Sequence, residues 1–148
     1  MAFCEENDAE DAFDLYKRNA PSFIEDKSEI HKTEPYVYSQ MIAGRFSPCY
    51  GQAKNSWLSG SATWSFVALS EGILGIKPQL DGLEIKPCLA KEFKEVKITR
   101  KFRGSLVNID IINKGDKEKS MTVNGVRQDS DLIKLDSNTK VYKVVVKQ

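Results

Sequence analysis

The sequence predicts an α+β chain in which helices come first and strands follow. Three observations point that way. Apolar residues recur at helical spacing near the start and again, more densely, over Trp57 to Gly72. After Pro78 the pattern changes to alternation of apolar and polar residues, the period of a strand with one buried face. Turn dipeptides, Arg103-Gly104 and Asn124-Gly125 among them, then punctuate the alternating runs at hairpin intervals.

The first element is an amphipathic helix over Asn7 to Asn19. Asn7 with Glu10 at the third position resembles a capping pair, and Ala9, Ala12, Phe13 and Tyr16 share one face. Asn19-Ala20-Pro21 stops it, since proline disfavours helical geometry in the residue before it. Pro21 to Thr33 is polar and charged, as a connector is, and its His31, the one histidine of the chain, reads as a solvated loop residue with no chemistry assigned. Tyr36 to Ile42 is an apolar and aromatic run open to either a short helix or an extended segment, ended by Gly44. A loop from Arg45 to Lys54 follows, and Asn55-Ser56 supply N-cap side chains for a helix over Trp57 to Gly72. That helix is apolar nearly all round, so it is expected to be buried. Gly75 and Pro78 mark its end.

Beyond Pro78, the runs Leu83–Ile85, Val96–Thr99, Leu106–Ile111, Met121–Val123 and Val141–Val146 predict strands of a small antiparallel sheet or sandwich, with Lys114-Gly115-Asp116 as a further turn. A boundary is expected at 77/78.

The 148 residues suffice for one ordinary domain, or for one small domain plus part of another. Hydrophobic residues at 41% and charged residues at 29% are those of a globular protein. Lys+Arg 22 against Asp+Glu 21 leaves a net charge of +1, so no overall field favours nucleic acid or a membrane surface as partner. Cys4, Cys49 and Cys88 are odd in number and lack the spacing of a disulfide framework or zinc site, and the acidic N-terminus has the wrong sign for a signal peptide. A cytoplasmic setting is the expectation.

Chemistry concentrates between Glu34 and Pro87, a stretch read as one wall of a sugar and phosphate site. In Asn55-Ser56-Trp57-Leu58-Ser59-Gly60-Ser61, hydroxyls and a glycine fall in what reads as the first turn of a helix, where backbone N–H groups lack partners and an anion can be held. Simple capping accounts for the same residues. Tyr36, Tyr38, Trp57 and Trp64 suit either stacking on a sugar ring or a core. Gln40 needs partners on both sides of its amide. Glu34, Glu71, Asp81 and Glu84 form no acid/base pair at readable spacing and read as cap, turn or solvated positions. Lys97, Arg100, Lys101 and Arg103 alternate with Val96, Ile98 and Phe102, which fits a solvated strand face better than a nucleic-acid patch.

The segments EPYVYSQMIAG, NSWLSGSATW, EGILGIKPQLDGLEIKPC and VKITRKFRG, in this order, resemble the C-terminal part of the cellobiose phosphorylase family, glycoside hydrolase family 94. The resemblance runs from NDAEDAFDLYK to the terminal strands. It implies the last helices of an (α/α)6 barrel over residues 1–77, as a C-terminal remnant of the catalytic domain, then a C-terminal antiparallel, sandwich-like β-domain over 78–148. It also implies an inverting phosphorylase that cleaves a β-linked glucosyl disaccharide, cellobiose first, with inorganic phosphate as co-substrate and no cofactor or metal. Ser59 and Gly60 match the family's phosphate-contacting Thr-Gly pair, Ser replacing Thr with the hydroxyl kept, and Gln40 matches a glutamine beside the same site. The catalytic aspartate and a phosphate-binding arginine and histidine are expected upstream of Met1, which matches a position inside a barrel helix. No catalytic residue is therefore assigned here.

On this reading the fragment is inactive alone, and its partners are the disaccharide, phosphate and the missing N-terminal portion. A homodimer of the full-length form stays open. So does the origin of the fragment, as a truncation, a split gene or an incomplete sequence. The competing readings are a non-catalytic carbohydrate-binding or structural remnant, and a complete small enzyme, which the lack of the acid disfavours.

Overall fold

Strand alternation after Pro78 builds the sheet around which the core forms. In the computed structural model, which describes residues 2–6, 8–115, 119–136 and 138–148, β5 (Glu95–Phe102) and β6 (Ser105–Ile112) form an antiparallel hairpin. β7 (Ser120–Val123) and β8 (Val126–Gln128) form a second. β10 (Val141–Lys147) lies between them, giving the order β5-β6-β10-β7-β8. Val107, Ile109 and Ile111 of β6 and Tyr142, Val144 and Val146 of β10 are buried on one face, as period two requires. Each full burial of such a side chain contributes roughly 1.5–3 kcal/mol.

A smaller sheet covers that face. β3 (Ile76–Gln79), β4 (Gly82–Ile85) and β9 (Leu132–Ile133) pair antiparallel in the order β3-β4-β9 and send Ile76, Leu83, Ile85 and Ile133 into the same core. Two arginines tie the sheets at their rim. Arg100 Nη1 donates to Ile76 O at 3.3 Å, and Arg103 Nη2 donates to Gln79 O at 3.1 Å and Leu80 O at 2.7 Å. The remaining basic residues of that strand, Lys97 and Lys101, are exposed. Pro78, expected to mark a helix end, lies within β3. It is tolerated because β3 is an edge strand, where a missing N–H breaks no ladder.

The five predicted strands are present, and the turns close as expected. Asn124 (φ 50°) and Gly125 (φ 83°) connect β7 to β8, and Arg103 (φ 48°) and Gly104 (φ 83°) connect β5 to β6, both with the left-handed pair that hairpin twist favours. The wholly antiparallel arrangement is corrected. β10 runs parallel to β6, with Val144 opposite Ile109, while antiparallel to β7. A parallel neighbour needs a long crossover, and the segment carrying β7, β8 and β9 supplies it.

The N-terminal half is mixed rather than purely helical. After α1 (Ala2–Glu5), α2 (Ala9–Asn19) starts at Asp8, whose Oδ1 accepts from Asp11 N at 3.2 Å. The expected cap Asn7, Met1 and the turn residue Asp116 lie outside the described residues. Glu10 serves elsewhere, accepting from Lys91 N at 2.8 Å, and Phe13 meets Phe93 edge to face at 4.7 Å, so α2 is docked on the loop before β5. The connector folds into two 3-10 turns (Pro21–Phe23 and Glu25–Lys27) and α3 (Ser28–His31). This folding buries His31 to 8% exposure, which corrects its reading as a solvated loop residue.

The undecided run before Gly44 is extended at its end. β1 (Ser39–Ile42) pairs antiparallel with β2 (Ala53–Ser56). Ser56 is thus held in a strand opposite Ser39, and Asn55 (φ 55°) and Trp57 (φ 69°) are left-handed, which no helix tolerates. The expected helix over Trp57 to Gly72 accordingly begins later, as α4 (Ser61–Val67), and continues as a π-helical turn (Ala68–Ile73) with Leu74 N bonded to Leu69 O at 2.8 Å. Its expected burial holds only at Gly72 and Ile73, while Trp64 is 74% exposed and Phe66 is exposed beside it. Gly75 (φ 66°) then passes so close to the next segment that a Cβ there would fall on the Lys86 carbonyl.

Candidate functional site

The β1–β2 hairpin and the turn before α4 carry the site residues. Gln40 stands on β1 and its Oε1 accepts from Asn55 Nδ2 of β2 at 2.9 Å, which satisfies one side of each amide. Ser59 sits in the turn between Trp57 and α4. Its Oγ accepts from Ser61 N at 3.0 Å and donates to Ser61 Oγ at 2.7 Å, so the hydroxyl organises the start of α4, and Gly60 beside it is exposed. The N-cap of α4 is Gly60, with no side-chain cap bond, so neither Asn55 nor Ser56 caps the helix, and Ser59, one residue before the cap, takes the Ser61 N–H.

A groove of about 1050 Å³ opens between α2, α3, the hairpin and α4. Gln40, Ser61, Trp64, Ser65, His31 and Tyr38 are among the residues that line it; Ser59 and Gly60 are not. Gln40 is therefore shared between hairpin and groove, whereas the Ser-Gly pair stands at its margin. Tyr16, on the α2 side of the groove, has its phenol pushed up by burial and then by the neighbouring Tyr38.

Sequence reasoning set Glu34 aside as a cap, turn or solvated residue. In the structure its Oε1 accepts from the Trp57 indole Nε1 at 3.2 Å, and Tyr36 meets Trp57 edge to face with ring centroids 6.3 Å apart. Its own backbone N–H and then the Trp57 indole hold the Glu34 carboxyl below its ordinary range, against an opposing effect of desolvation, with the Ser56 hydroxyl adding the least. Asn55, expected as a helix cap, stands on β2 and donates to Gln40 instead. The other carboxylates stay apart. Glu84 accepts from Gln79 Nε2 at 2.8 Å, Asp81 lies in the exposed β3–β4 turn and Glu71 in the π-helical turn.

Among the described residues, no group of three or more His, Cys, Asp or Glu side chains is placed to hold a metal ion, and no helix is long and apolar enough to cross a membrane. All three cysteines are free thiols. Burial, with Cys4 as neighbour, pushes the Cys88 thiol up to about 12, so it is a poor nucleophile.

Comparison with known proteins agrees with the motifs. The family profile described as the glycosyl hydrolase 94 superfamily, catalytic domain, matches residues 6–75, a span that includes Gln40, Ser59 and Gly60. A solabiose phosphorylase from Paenibacillus borealis is 30% identical over 84% of this chain and 17% of its own length. An N,N'-diacetylchitobiose phosphorylase from Vibrio proteolyticus is 33% identical over 78% of this chain and 14% of its own. A cellobionic acid phosphorylase from Neurospora crassa is 33% identical over 41% of this chain and 8% of its own. The chain thus spans about a sixth or less of the length of these relatives. Residues 6–75 are a segment of the glycosyl hydrolase 94 catalytic domain, and the chain belongs to that superfamily.

Proposed function

We propose that the chain is the C-terminal portion of an inverting disaccharide phosphorylase, in which Ser59, Gly60 and Gln40 contact the phosphate. Residues 1–77 form the end of an (α/α)6-barrel catalytic domain and 78–148 the β-domain that follows it. The observation that carries this reading is the superfamily match over residues 6–75, which takes in both the Gln40 and the Ser59-Gly60 motifs. Inversion needs one general acid to protonate the leaving sugar oxygen and a nucleophile on the opposite face of the ring. Phosphate is already anionic, so its oxygen attacks the anomeric carbon as the glycosidic bond breaks, and the protein's remaining task is to place it and offset its charge. The Ser59 hydroxyl contacts phosphate by donating its one proton, which it gives to Ser61 Oγ in this structure, while the bond it accepts from Ser61 N keeps the oxygen placed ahead of α4.

The general acid comes from the remainder of the protein, so the 148-residue chain turns over nothing alone. The relatives named above differ in their substrate, which supports a disaccharide as the substrate class, and within it our reading takes a β-linked glucosyl disaccharide such as cellobiose as one candidate. Fusing the chain to the N-terminal portion of the Paenibacillus borealis relative and assaying phosphate-dependent release of a sugar 1-phosphate tests the proposal. Release from cellobiose, solabiose or N,N'-diacetylchitobiose, reduced about tenfold or more by Ser59→Ala, is the expected result. A folded fusion silent on all three, or indifferent to Ser59→Ala, would count against it. Turnover by the isolated chain would overturn the placement of the acid.

A further inference from the structure

Docking of the first two helices on the strand-rich half brings Cys4 and Cys88 together. At one end of this seam the two thiols are hydrogen-bonded to each other. Farther along it Glu10 accepts from Lys91 N, Phe13 meets Phe93, and Lys17 Nζ stands 3.6 Å from Glu92 Oε1. α1 and α2 thus lie along residues 88–93, within the segment that leads from β4 to β5.

Each sulfur is held on its own side of the seam. Cys88 N donates to Ile73 O at 2.9 Å, and its chain neighbour Leu89 belongs to the core. Cys4 packs against the same core and also lines the groove, which Cys88 does not, so a small oxidant entering the groove meets Cys4 first. The third thiol is engaged elsewhere. Cys49 Sγ lies 3.2 Å from Ser47 Oγ in the loop between β1 and β2.

We propose that Cys4 and Cys88 are a modification site, an oxidation-sensitive thiol pair that closes to a disulfide with a peroxide as oxidant and locks α1 and α2 onto the strand-rich half. Two thiols already in hydrogen-bond contact can reach disulfide geometry by side-chain rotation. Peroxide transfers one oxygen to Cys4 Sγ, giving a sulfenic acid and releasing water. The Cys88 sulfur then displaces the hydroxyl, the S–S bond forms, and the Cys88 proton leaves with that hydroxyl as a second water. Two thiols are oxidised and one O–O bond is reduced. The order of the steps follows from the surroundings. Burial raises the Cys88 thiol most, and its hydrogen bond and charge repulsion with Cys4 add to this. Oxidation of Cys4 removes both Cys4 contributions, while Lys119 still lowers Cys88 against Asp8, so Cys88 is the second thiol to react.

The 148-residue chain is treated with one equivalent of hydrogen peroxide, remaining thiols are alkylated, and a non-reduced digest is read by mass spectrometry. The expected product is a monomer lighter by two hydrogen atoms, with Cys4 joined to Cys88 in about tenfold excess over either pairing with Cys49, and reopened by dithiothreitol. In urea the excess should vanish, because Cys49 lies between the other two in sequence and chain statistics then favour its shorter loops. The bond closes a long loop, so the unfolding constant of the oxidised chain should be smaller than that of the reduced chain by about a hundredfold. Cys88→Ser should leave a sulfenic acid at Cys4 that a 1,3-diketone traps.

The mapping uses the unaltered chain, so it does not depend on the folding of any variant. Predominant pairing with Cys49 in the folded chain, oxidation of Cys4 past the sulfenic acid while Cys88 still alkylates, or crosslinking between chains overturns the proposal. A Cys4–Cys88 bond that leaves the chain as easy to unfold as before overturns the lock.

Discussion

Protonating Glu34 removes the charge that its backbone N–H and the Trp57 indole stabilise, so the Trp57 indole N–H signal should follow the titration of Glu34. Because the folded carboxyl lies below its ordinary range, its contribution to stability is present above the unfolded value and is lost as pH falls through the folded one. The Trp57 indole signal should therefore show an acid transition with a midpoint below that of an unfolded glutamate, absent in Glu34→Gln. A midpoint at or above the ordinary range would refute the pairing. Gly75 sets a second test at this scale. Gly75→Ala places a methyl on the Lys86 carbonyl at positive φ, and urea unfolding should show a loss of about 2 kcal/mol or more. An unchanged midpoint would mean that the chain crossing there is looser than described. The role of Glu34 was hidden in the sequence because its partner lies 23 positions away and nothing in residue order announces the contact. Ser59, Gly60 and Gln40 were accessible only because they sit inside long motifs.

Strands were readable where one face is buried, since alternation is a local property. Val107, Ile109 and Ile111 on β6 and Tyr142, Val144 and Val146 on β10 made both strands visible. Which strand each would pair with was not visible, because an alternating apolar face fits a parallel or an antiparallel neighbour equally well. The start of α4 was misread for a related reason. Asn55-Ser56 have good N-cap side chains, but the pairing of β2 with β1 holds them in a strand, and tertiary pairing overrides that preference. The paired strands give a direct prediction about the sheet. Ile109→Ala, at the fully buried centre of β6, should cost about 2–5 kcal/mol, whereas Leu106→Ala on the exposed face should change stability by about 0.5 kcal/mol or less. Equal effects of the two substitutions would show that the face assignment is wrong.

At the scale of the molecule, the strand-rich half is enclosed around one core while the helical half leaves Leu58, Trp64 and Phe66 uncovered. Exposed apolar side chains of this size favour association. Sedimentation velocity of the isolated chain should show a rising weight-average coefficient with concentration, reduced by the double substitution Trp64→Ser and Phe66→Ser. A single monomeric boundary throughout would contradict it. Order of synthesis is tied to the placement of β10. The centre of the large sheet is occupied by its last strand in sequence, so the two hairpins β5–β6 and β7–β8 emerge from the ribosome with no neighbour between them. Each nascent hairpin must wait with an unpaired edge, since an isolated two-stranded unit is marginal in water. The sheet is therefore closed after translation of its other strands, and it is in that interval that the nascent chain has most need of a chaperone.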